Sequence, residues 1–381
     1  MEVPKLRFNG FSDDFQIRKL CQLTKIYDGT HQTPKYVERG VPFYSVEHVT
    51  ANQFEKTKYV SEEVFFKENK RVKLEKGDIL MTRIGSIGVS KYIDWNVRAS
   101  FYVSLALIKN NSLFDSRYLN QYINSNNFQK ELWKRTIHVA FPQKINLGEI
   151  GQCNVKFPSL TEQQKIASFL TAVDKRINLL QRKATLLEDY KKGVMQKLFS
   201  QQLRFKDDNG QDFPDWEEKK LGEVAYITSG KSNRADSSLI GEYTFFDRSQ
   251  DIRTSDIFLF DKEAVIVAGE GSDFPPKYFK GKFDLHQRTY AIMDFNGVNG
   301  KFLFYSILKN KSHFIRYAVG STVKSLRLPI FKKMKLNIPC KEEQQKIASF
   351  LESLDKKIAT VNQQIEGMQT FKKGLLQQMF V

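Results

Sequence analysis

The chain has 381 residues, of which 41% are hydrophobic, a composition typical of a folded protein with two or three domains. Its 60 lysines and arginines outnumber 43 acidic residues, and the net charge of +17 favours a polyanionic partner such as nucleic acid. No apolar run approaches the ~20 residues of a membrane-spanning helix. Three cysteines without C-x-x-C spacing argue against disulfides and cysteine zinc sites. We therefore expect a cytoplasmic protein whose cysteines are small buried apolar residues.

The first predicted domain comprises residues 1–157, in which short apolar runs alternate with turn signals. Three of these runs, "VPFYSV", "GDILMTRIG" and "FYVSLALI", predict β-strands. A later segment, "SRYLNQYINSNNFQKEL", predicts a helix. This order of elements indicates a mixed α/β domain with a strand-rich first part.

Residues 158–202 are predicted to form a long helix. Pro158 and Ser159, with Glu162 three residues after the serine, indicate a capped start. With Ile166 at heptad position a, every a and d position over five heptads is apolar except Lys191. This pattern is typical of a coiled coil, and a helix of this length would form a rod of about 54 Å.

The second half of the chain repeats the first. Residues 203–337 contain the strand-like runs "YTFFD", "EAVIVAGEG" and "RTYAIMDF", followed by the helical "KFLFYSILKNKSHFIRY". Residues 338–381 repeat the long helix: "EQQKIASFL" occurs at 162–170 and again at 343–351. We therefore predict an α+β tandem duplication, in which two mixed α/β domains are joined by a long antiparallel intramolecular coiled coil with pseudo-two-fold symmetry. We also expect the repeated "EQQKIA" starts to offer matching docking surfaces to two identical partners.

Catalytic motifs are not evident in the sequence. The string "AYITSGKS" at 225–232 fits a loosened phosphate loop, but the first glycine and a following helix are missing. The five histidines lack metal-ligand spacing, and there is no G-x-S-x-G elbow. We therefore expect a non-catalytic chain that carries no metal or cofactor of its own.

Four segments give the whole chain a resemblance to the specificity subunits of type I restriction–modification systems. Two are the near-identical "LTEQQKIASFLTAVDKRI" and "CKEEQQKIASFLESLDKKI", each after an apolar–proline pair; the others are "KGDILMTRIGSIG" and "WEEKKLGEVAYITSGKS". The resemblance implies two target-recognition domains, 1–157 and 203–337, each reading one half of a bipartite double-stranded DNA site. It also implies helical spacer regions at 158–202 and 338–381. The second domain departs from the pattern, because "AVIVAGEGSDFPP" replaces the "GDIL…G" loop.

The resemblance also implies a division of labour between subunits. Two modification subunits would bring S-adenosylmethionine and methylate adenine, and restriction subunits would use ATP and Mg to translocate and cut DNA. An alternative is a stand-alone DNA-binding regulator that dimerises through its coiled coil and needs no methylating partner. The net charge and the divergent loops disfavour a purely structural scaffold.

Candidate DNA-binding residues are polar side chains that follow strand-like runs or lie in loops bounded by glycine or proline. Arginine suits guanine, asparagine and glutamine suit adenine, and lysine mostly holds phosphate. In the first domain the candidates are Tyr44, Arg83, Ser86, Lys91, Gln143 and Lys144. In the second domain they are Arg248, Lys277, His286, Gln287, Arg288, Ser321 and Lys324.

Overall fold

A computed structural model describes residues 4–249 and 252–380, so the outermost bounds of the predicted domains, residues 1 and 381, lie outside the described residues. The chain divides into two compact units. The first unit combines the chain up to Gln181 with the chain from Gln363 onward, and the second runs from Arg182 to Asn362. Each unit therefore contains one half of each long helix, together with one of the two α/β regions.

The α/β region of the first unit contains two four-stranded sheets and an antiparallel ribbon. Its elements are β1 (Gln16–Lys19), α1 (Leu20–Leu23), β2 (Ile26–Asp28), β3 (Tyr36–Val37), β4 (Val41–Tyr44), α2 (Val46–Ala51), β5 (Lys58–Val60), α3 (Glu62–Asn69), β6 (Ile79–Thr82), β7 (Ser90–Tyr92), β8 (Ser100–Phe101), β9 (Leu105–Ile108), α4 (Ser116–Ile123), α5 (Asn126–Arg135), α6 (Leu147–Gly151), β10 (Asn154–Phe157) and the long helix α7 (Leu160–Phe199). The sheets have the orders β2-β9-β6-β7 and β3-β5-β4-β8, and the ribbon pairs β1 with β10.

The α/β region of the second unit is built on one six-stranded sheet. Its elements are β11 (Glu217–Lys220), α8 (Leu221–Val224), β12 (Tyr226–Ser229), a short 3-10 helix (Arg234–Asp236), β13 (Tyr243–Phe246), β14 (Arg253–Ser255), β15 (Phe260–Ala268), β16 (Glu270–Gly271), β17 (Lys277–Leu285), β18 (Thr289–Met293), α9 (Gly300–Lys309), α10 (Ser312–Tyr317), β19 (Lys324–Ser325), α11 (Leu328–Lys332), β20 (Lys335–Ile338) and the long helix α12 (Lys341–Met379). The sheet order is β12-β18-β15-β17-β13-β14, with the ribbon β11-β20 and the pair β16-β19 beside it.

The helix predicted late in the first domain is in fact two helices. It breaks between α4 and α5, where the Ser125 hydroxyl accepts a hydrogen bond from the backbone N–H of Phe128 and caps the second helix. An N-capping serine has extended backbone angles, so it ends the preceding helix as it begins the next. The second unit also has two helices here, α9 and α10, although Lys311 before α10 makes no side-chain capping hydrogen bond.

The long helices pack antiparallel in the first unit. Ile166 and Leu170, near the beginning of α7, share an apolar core with Leu375 and Met379, near the end of α12. All four side chains are at least 94% buried. An early segment of one helix therefore meets a late segment of the other, as the duplication predicts.

The second unit shows the same arrangement with the roles of the helices exchanged. Val194 and Leu198, near the end of α7, lie in one core with Ile347 and Leu351, near the beginning of α12. The predicted fold class, two mixed α/β regions with an antiparallel coiled coil made by one chain, is confirmed. None of the helices in the described ranges is long and apolar enough to span a membrane.

The two lysines that interrupt the heptad pattern form ion pairs between the helices. Lys372 Nζ lies 2.7 Å from the Asp174 carboxylate in the first unit. Lys191 pairs with Asp355 in the second. Both lysines and both aspartates are 181 positions apart, so the polar layer is duplicated with the apolar ones.

The glutamate of each "EQQKIASFL" segment anchors an arginine from the chain that precedes the α/β region. The Glu162 carboxylate accepts two hydrogen bonds of 2.8 Å from the Arg7 guanidinium. The Glu343 carboxylate accepts bonds of 3.2 and 2.8 Å from Arg204. Both carboxylates are at least 99% buried, so each is neutralised by a two-point ion pair. The helix begins at Leu160, directly after Ser159, where the capped start is predicted.

The first glutamine of each segment fixes the beginning of another helix. Gln163 Oε1 accepts the backbone N–H of Asp115, the N-cap of α4, at 3.0 Å. Gln344 Oε1 accepts the backbone N–H of Asn299, the N-cap of α9, at 2.7 Å. The repeat is thus explained by contacts inside each unit. The Glu, first Gln, Ile and Ala of each start are buried, so only the second Gln and the Lys are accessible, and matching docking surfaces at these starts stay a prediction.

The cysteines differ in environment, and the expectation that all three are buried is only partly right. Cys153 is fully buried, and burial raises the pKa of its thiol to about 12. Cys21 is exposed and Cys340 is half-buried. Cys153 therefore behaves as a small core side chain in the first unit.

Candidate nucleic-acid interface

The loops after strands β13 and β17 meet at one end of the second unit's sheet. The β16 strand joins them, and together they enclose a cavity of about 220 Å³. It is lined by Arg234, Asp247, Arg248, Glu270, His286, Gln287 and Arg288. Four of the residues predicted from sequence, Arg248, His286, Gln287 and Arg288, therefore lie together.

A carboxylate inside the cavity binds two of its three arginines. Glu270 Oε1 lies 2.5 Å from Arg288, and its other oxygen lies 3.5 Å from Arg248. The Glu270 side chain is 15% exposed, whereas those of Arg248 and Arg288 are 56% and 62% exposed. A guanidinium has five N–H donors in a fixed fork, so both arginines keep donors for a ligand while one edge is held.

His286 is a neutral imidazole at pH 7. Burial lowers its pKa, and the neighbouring Arg288 and Arg248 lower it further, against the opposite influence of Asp247. The backbone N–H of Arg288 donates to His286 Nδ1 at 3.1 Å. This bond assigns the proton of the neutral ring to Nε2, which leaves an N–H donor on the other side of the ring.

Asp247 supports the loop after β13. Burial alone would raise the pKa of this carboxyl, but hydrogen bonds from the Ser249 hydroxyl and N–H hold it below its usual value. The carboxylate therefore stays ionised and holds residues 247–249, which include Arg248, in a tight turn.

The remaining candidates of the second unit are spread around the cluster formed by Arg248, His286, Gln287 and Arg288. Lys277 lines an adjoining cavity of about 160 Å³ that also includes Arg248 and Glu270, and its ammonium donates to the backbone carbonyl of Ser249 at 2.8 Å. Lys324 lies opposite Gly271 in the β16–β19 pair. Ser321 is exposed in the loop before β19. Six of the seven candidates thus border the cluster, and Ser321 lies on a neighbouring loop.

The first unit brings together two loops, 83–88 and 137–145. The backbone N–H of Gly85 donates to the carbonyl of Gln143 at 2.8 Å, and that of Ile145 donates to Arg83 at 3.0 Å. Gly85 has a φ of +79°, a turn geometry that favours glycine. The predicted residues Ser86, Gln143 and Lys144 are exposed on these loops. They form a second candidate surface.

Arg83 lies beneath this surface rather than on it. Its guanidinium donates to the carbonyls of Val103 and Ile145 at 2.8 and 3.1 Å and approaches Asp28 Oδ2 at 3.3 Å. Burial lowers the pKa of the guanidinium, and Asp28 opposes this. The side chain is 10% exposed, so it holds the 137–145 loop in place and does not project towards a ligand.

Two more candidates of the first unit lie away from the loop tips. Tyr44 is 4% exposed, and its ring packs edge-on against Phe54 with centroids 4.9 Å apart. Lys91 is half-buried on β7, with its ammonium 5.8 Å from the Trp95 ring. Both residues end or follow apolar runs in the sequence, and core residues show the same pattern.

Sequence reasoning missed several residues of these surfaces. Glu270 was overlooked, although a single acid between glycines in "VAGEGSD" could have indicated it. The exposed apolar side chains of the 137–145 loop were also missed. A basic cavity of about 690 Å³ beside α10 and α11 contains none of the predicted residues; its cations are Arg316, Arg327, Lys333 and Lys335.

The phosphate-loop-like string of the second unit has a packing role. A Cβ on Gly230 would lie 1.8 Å from the carbonyl oxygen of Leu285, so the glycine permits close approach of two backbones. The Ser232 hydroxyl donates to the buried Asp284 at 2.8 Å. The segment continues into a 3-10 turn instead of the helix that a phosphate loop requires.

Comparison with a family model defines the class of protein. The model described as "Type I restriction modification DNA specificity domain" matches residues 12–189 and 214–369. These two stretches follow the two halves of the duplication and include most of the chain. The chain belongs to this family, and DNA sequence recognition in a type I restriction–modification system is the function that membership supports.

Individual relatives agree with that assignment. The chain is 30% identical over 165 residues to the EcoDI specificity subunit of Escherichia coli, a match that covers 43% of this chain and only 36% of that relative. It is 24% identical to the putative MjaX specificity subunit of Methanocaldococcus jannaschii, over 98% of this chain and 94% of that one.

Solved structures share the fold. The type I S subunit from M. genitalium has a TM-score of 0.68 at 16% identity, and the match covers 100% of this chain and 99% of that one. A chain from a study of type I complex assembly and conformational transition has a TM-score of 0.56 at 12% identity, covering 96% and 97%. At these identities the likeness concerns the fold alone.

Proposed function

We propose that this chain is the specificity subunit of a type I restriction–modification complex and that each α/β region reads one half of a bipartite DNA site. The observation that carries the proposal is that the two halves share a duplicated frame, made of the long helices and the buried residues around their beginnings, but present different loop surfaces. One surface presents Ser86, Gln143 and Lys144, and the other presents Arg248 and Arg288. Equivalent frames with different side chains suit two different short sequences.

In the second unit, Arg248 and Arg288 are suited to base edges. Each keeps free donors that match the O6 and N7 acceptors of guanine, and Glu270 can accept from the amino group of cytosine. Lys277 and Lys324 lie at the border of the cluster, where lysine contacts to phosphate would hold the duplex in register. His286 and Gln287 add neutral hydrogen-bond donors to the same cavity.

A test of this assignment is the methylation pattern in cells that carry the chain with its modification subunit. We expect methylated adenines in a target with two specified parts and an unspecified spacer. Arg288→Ala should relax one position in one part and leave the other part unchanged. The loss of one good base contact corresponds to about 1–3 kcal/mol of discrimination. Relaxation in both parts, or a continuous target, would contradict the proposal.

The catalytic steps belong to partner subunits in this proposal. Adenine methylation requires a base flipped into a pocket of the modification subunit, which supplies S-adenosylmethionine, and restriction subunits use ATP and Mg to translocate and cut. The chain itself is non-catalytic and contributes the DNA sequence preference. Among the described residues, no group of three or more His, Cys, Asp or Glu side chains could hold a metal ion.

Two modification subunits would bind each chain through equivalent surfaces of the long helices. Tyr190 and Phe371 support this, because they occupy equivalent positions and are 53% and 51% exposed. Exposed aromatics at matching places are typical of protein-binding positions. The regulator alternative has less support, since in each unit the apolar seam is already covered by the chain's own second helix.

Light scattering of the purified complex tests this stoichiometry. The expected result is two modification subunits per chain, falling to one with either Tyr190→Asp or Phe371→Asp. Leu179→Asp is the matched control, because Leu179 is similarly exposed on α7 without an aromatic equivalent in α12. A stable 1:1 assembly that methylates both half-sites, or methyl transfer by this chain alone, would overturn the proposal.

A further inference from the structure

The hairpin at residues 137–144 carries two apolar side chains that point fully into solvent. Val139 is 97% exposed and Phe141 is 104% exposed. Their neighbours continue the same surface: Trp133 is 68% exposed, and its ring lies 4.9 Å from that of His138. A phenylalanine ring normally buries most of its area, so its complete exposure at a loop tip calls for a partner.

The base of this hairpin is firmly held. The backbone N–H of Ile137 donates to the Lys144 carbonyl at 2.8 Å, and Gly85 and Arg83 bind the other side of the hairpin at Gln143 and Ile145. The Arg83 guanidinium adds a bond of 3.1 Å to the Ile145 carbonyl. The tip is therefore presented on a fixed support, which lowers the entropy that a partner must remove on binding.

The position of the tip favours DNA as that partner. Phe141 is two residues from Gln143 and three from Lys144, which belong to the candidate DNA surface together with Ser86. The ring therefore lies on the same short hairpin as two residues of that surface. A ring without polar atoms gains nothing from phosphates, but it can stack on bases once a base step opens.

The equivalent hairpin of the second unit has no aromatic side chain at its tip, and its apolar side chains Val319 and Val323 are only 61% and 53% exposed. It also lies between two helices, α10 and α11, and is closed by hydrogen bonds of 2.9 and 2.7 Å between Val319 and Ser325. Its tip reads Gly-Ser-Thr, with Thr322 at the place of Phe141. The same support therefore carries an aromatic tip in one unit only.

We infer that Phe141, with Val139 beside it, is a wedge that enters the DNA base stack at the half-site bound by the first unit. This inference rests on the proposed function, because it takes double-stranded DNA as the ligand of that surface. The wedge would open one base step and kink the duplex there. Pyrimidine–purine steps such as TA and CA are the easiest to unstack, so the half-site should prefer one of them at this position.

The test uses the complete complex of this chain with its modification subunits, on duplexes that contain the methylated target. 2-Aminopurine, whose fluorescence rises when it is unstacked, is placed in turn at each step of the first-unit half-site. A rise is also expected at the methylated adenine, because the modification subunit flips that base out of the stack. The wedge predicts a second, several-fold rise at one other step. Phe141→Ala should abolish this second rise, leave the rise at the methylated adenine, and weaken binding about tenfold, as expected for the loss of one base–aromatic stack. Phe141→Leu, which keeps an apolar wedge, should retain part of both effects.

Two control variants separate the wedge from general effects. Thr322→Ala changes the equivalent tip, and Ile240→Ala removes a side chain that is 94% exposed in the second unit. Both should leave the 2-aminopurine rise and the affinity unchanged. Because Phe141 is fully exposed, Phe141→Ala should also keep the thermal melting temperature of the parent.

The outcomes distinguish this inference from the proposed function. If the parent complex methylates both half-sites but Phe141→Ala leaves the fluorescence and affinity unchanged, the wedge is wrong and the proposed function stands. If Phe141→Ala instead prevents binding of a modification subunit, seen by light scattering, the tip is a protein contact and the wedge is also wrong. If the parent complex neither binds nor methylates a bipartite target, the proposed function itself fails.

Discussion

The two halves of the chain agree closely in their frame, which is formed by the long helices and the buried residues around their beginnings. They differ sharply in the loops that this frame supports. In the frame, Glu162 and Arg7 of the first unit repeat as Glu343 and Arg204 of the second. The loops share only their positions. One unit presents a hairpin with Phe141 at its tip, and the other presents arginines gathered around a glutamate.

This contrast shows which contacts constrain the sequence. Frame residues are buried and touch several elements, so a change in one requires changes in others. Loop residues are constrained by their support and by what they bind. A duplicated chain can therefore keep two copies of one frame while its two candidate DNA surfaces diverge.

The largest effect should follow from a charge in the helix seam. Leu170→Asp and Leu351→Asp place a carboxylate at equivalent sites that are fully buried, and each should cost about 5 kcal/mol of unfolding free energy. Leu179→Asp, at a position 53% exposed on the same helix, is the control and should change stability by only about 0.5 kcal/mol. Urea denaturation measures all three. Similar losses of unfolding free energy at positions 170 and 179 would show that Leu170 does not lie in a buried seam between the helices.

A smaller loss is expected from the arginines that neutralise the buried glutamates. Arg7→Ala and Arg204→Ala should each cost about 3 kcal/mol, because the partner carboxylate remains buried without its counter-ion. Arg98→Ala is the control: Arg98 pairs with Glu62 at the surface, where solvent screens the pair, and its removal should leave the denaturation midpoint unchanged. The two frame variants should agree with each other. A loss in only one of them would show that the frame is not equivalent in the two halves.

The sequence predicted the frame well because its signals are local and repeated. The heptad pattern located both helices, and the duplication predicted their antiparallel packing. Even the interrupting lysines occupy equivalent sites, although their aspartate partners could not be deduced. Asp174 and Asp355 lie on exposed-looking helix faces, and their role depends on which residue of the other helix lies opposite.

The candidate surfaces were harder to predict because their geometry depends on distant residues. Arg83, in the string "TRIG", resembles an exposed loop arginine, but it approaches Asp28, 55 residues away, and is buried. In contrast, Arg248 and Arg288 lie in one cavity because strands β13 and β17 are parallel neighbours in the sheet. Sequence reasoning can place residues at strand ends, but the sheet order decides which ends meet.

The smallest effect is the change of DNA affinity with pH that is due to His286 of the second unit. Because the pKa of His286 lies below its ordinary value of about 6.5, the ring is neutral from pH 8 to 7, and DNA affinity should be constant there. Protonation at lower pH adds one positive charge to the cavity, so affinity should rise and its salt dependence should steepen by about one counter-ion. His286→Gln should remove this change. An identical pH profile in parent and variant would show that His286 does not face the DNA.

The most direct test of the central claim, that one frame carries two independent readers of DNA, is an exchange of one domain. Residues 1–157 would be replaced by the corresponding residues of a relative with a different target, and methylated adenines would be mapped in cells that also carry the modification subunit. The duplicated frame predicts that one specified part of the target changes to that of the relative, while the other part and the spacer length stay the same. A change in both parts would contradict the account.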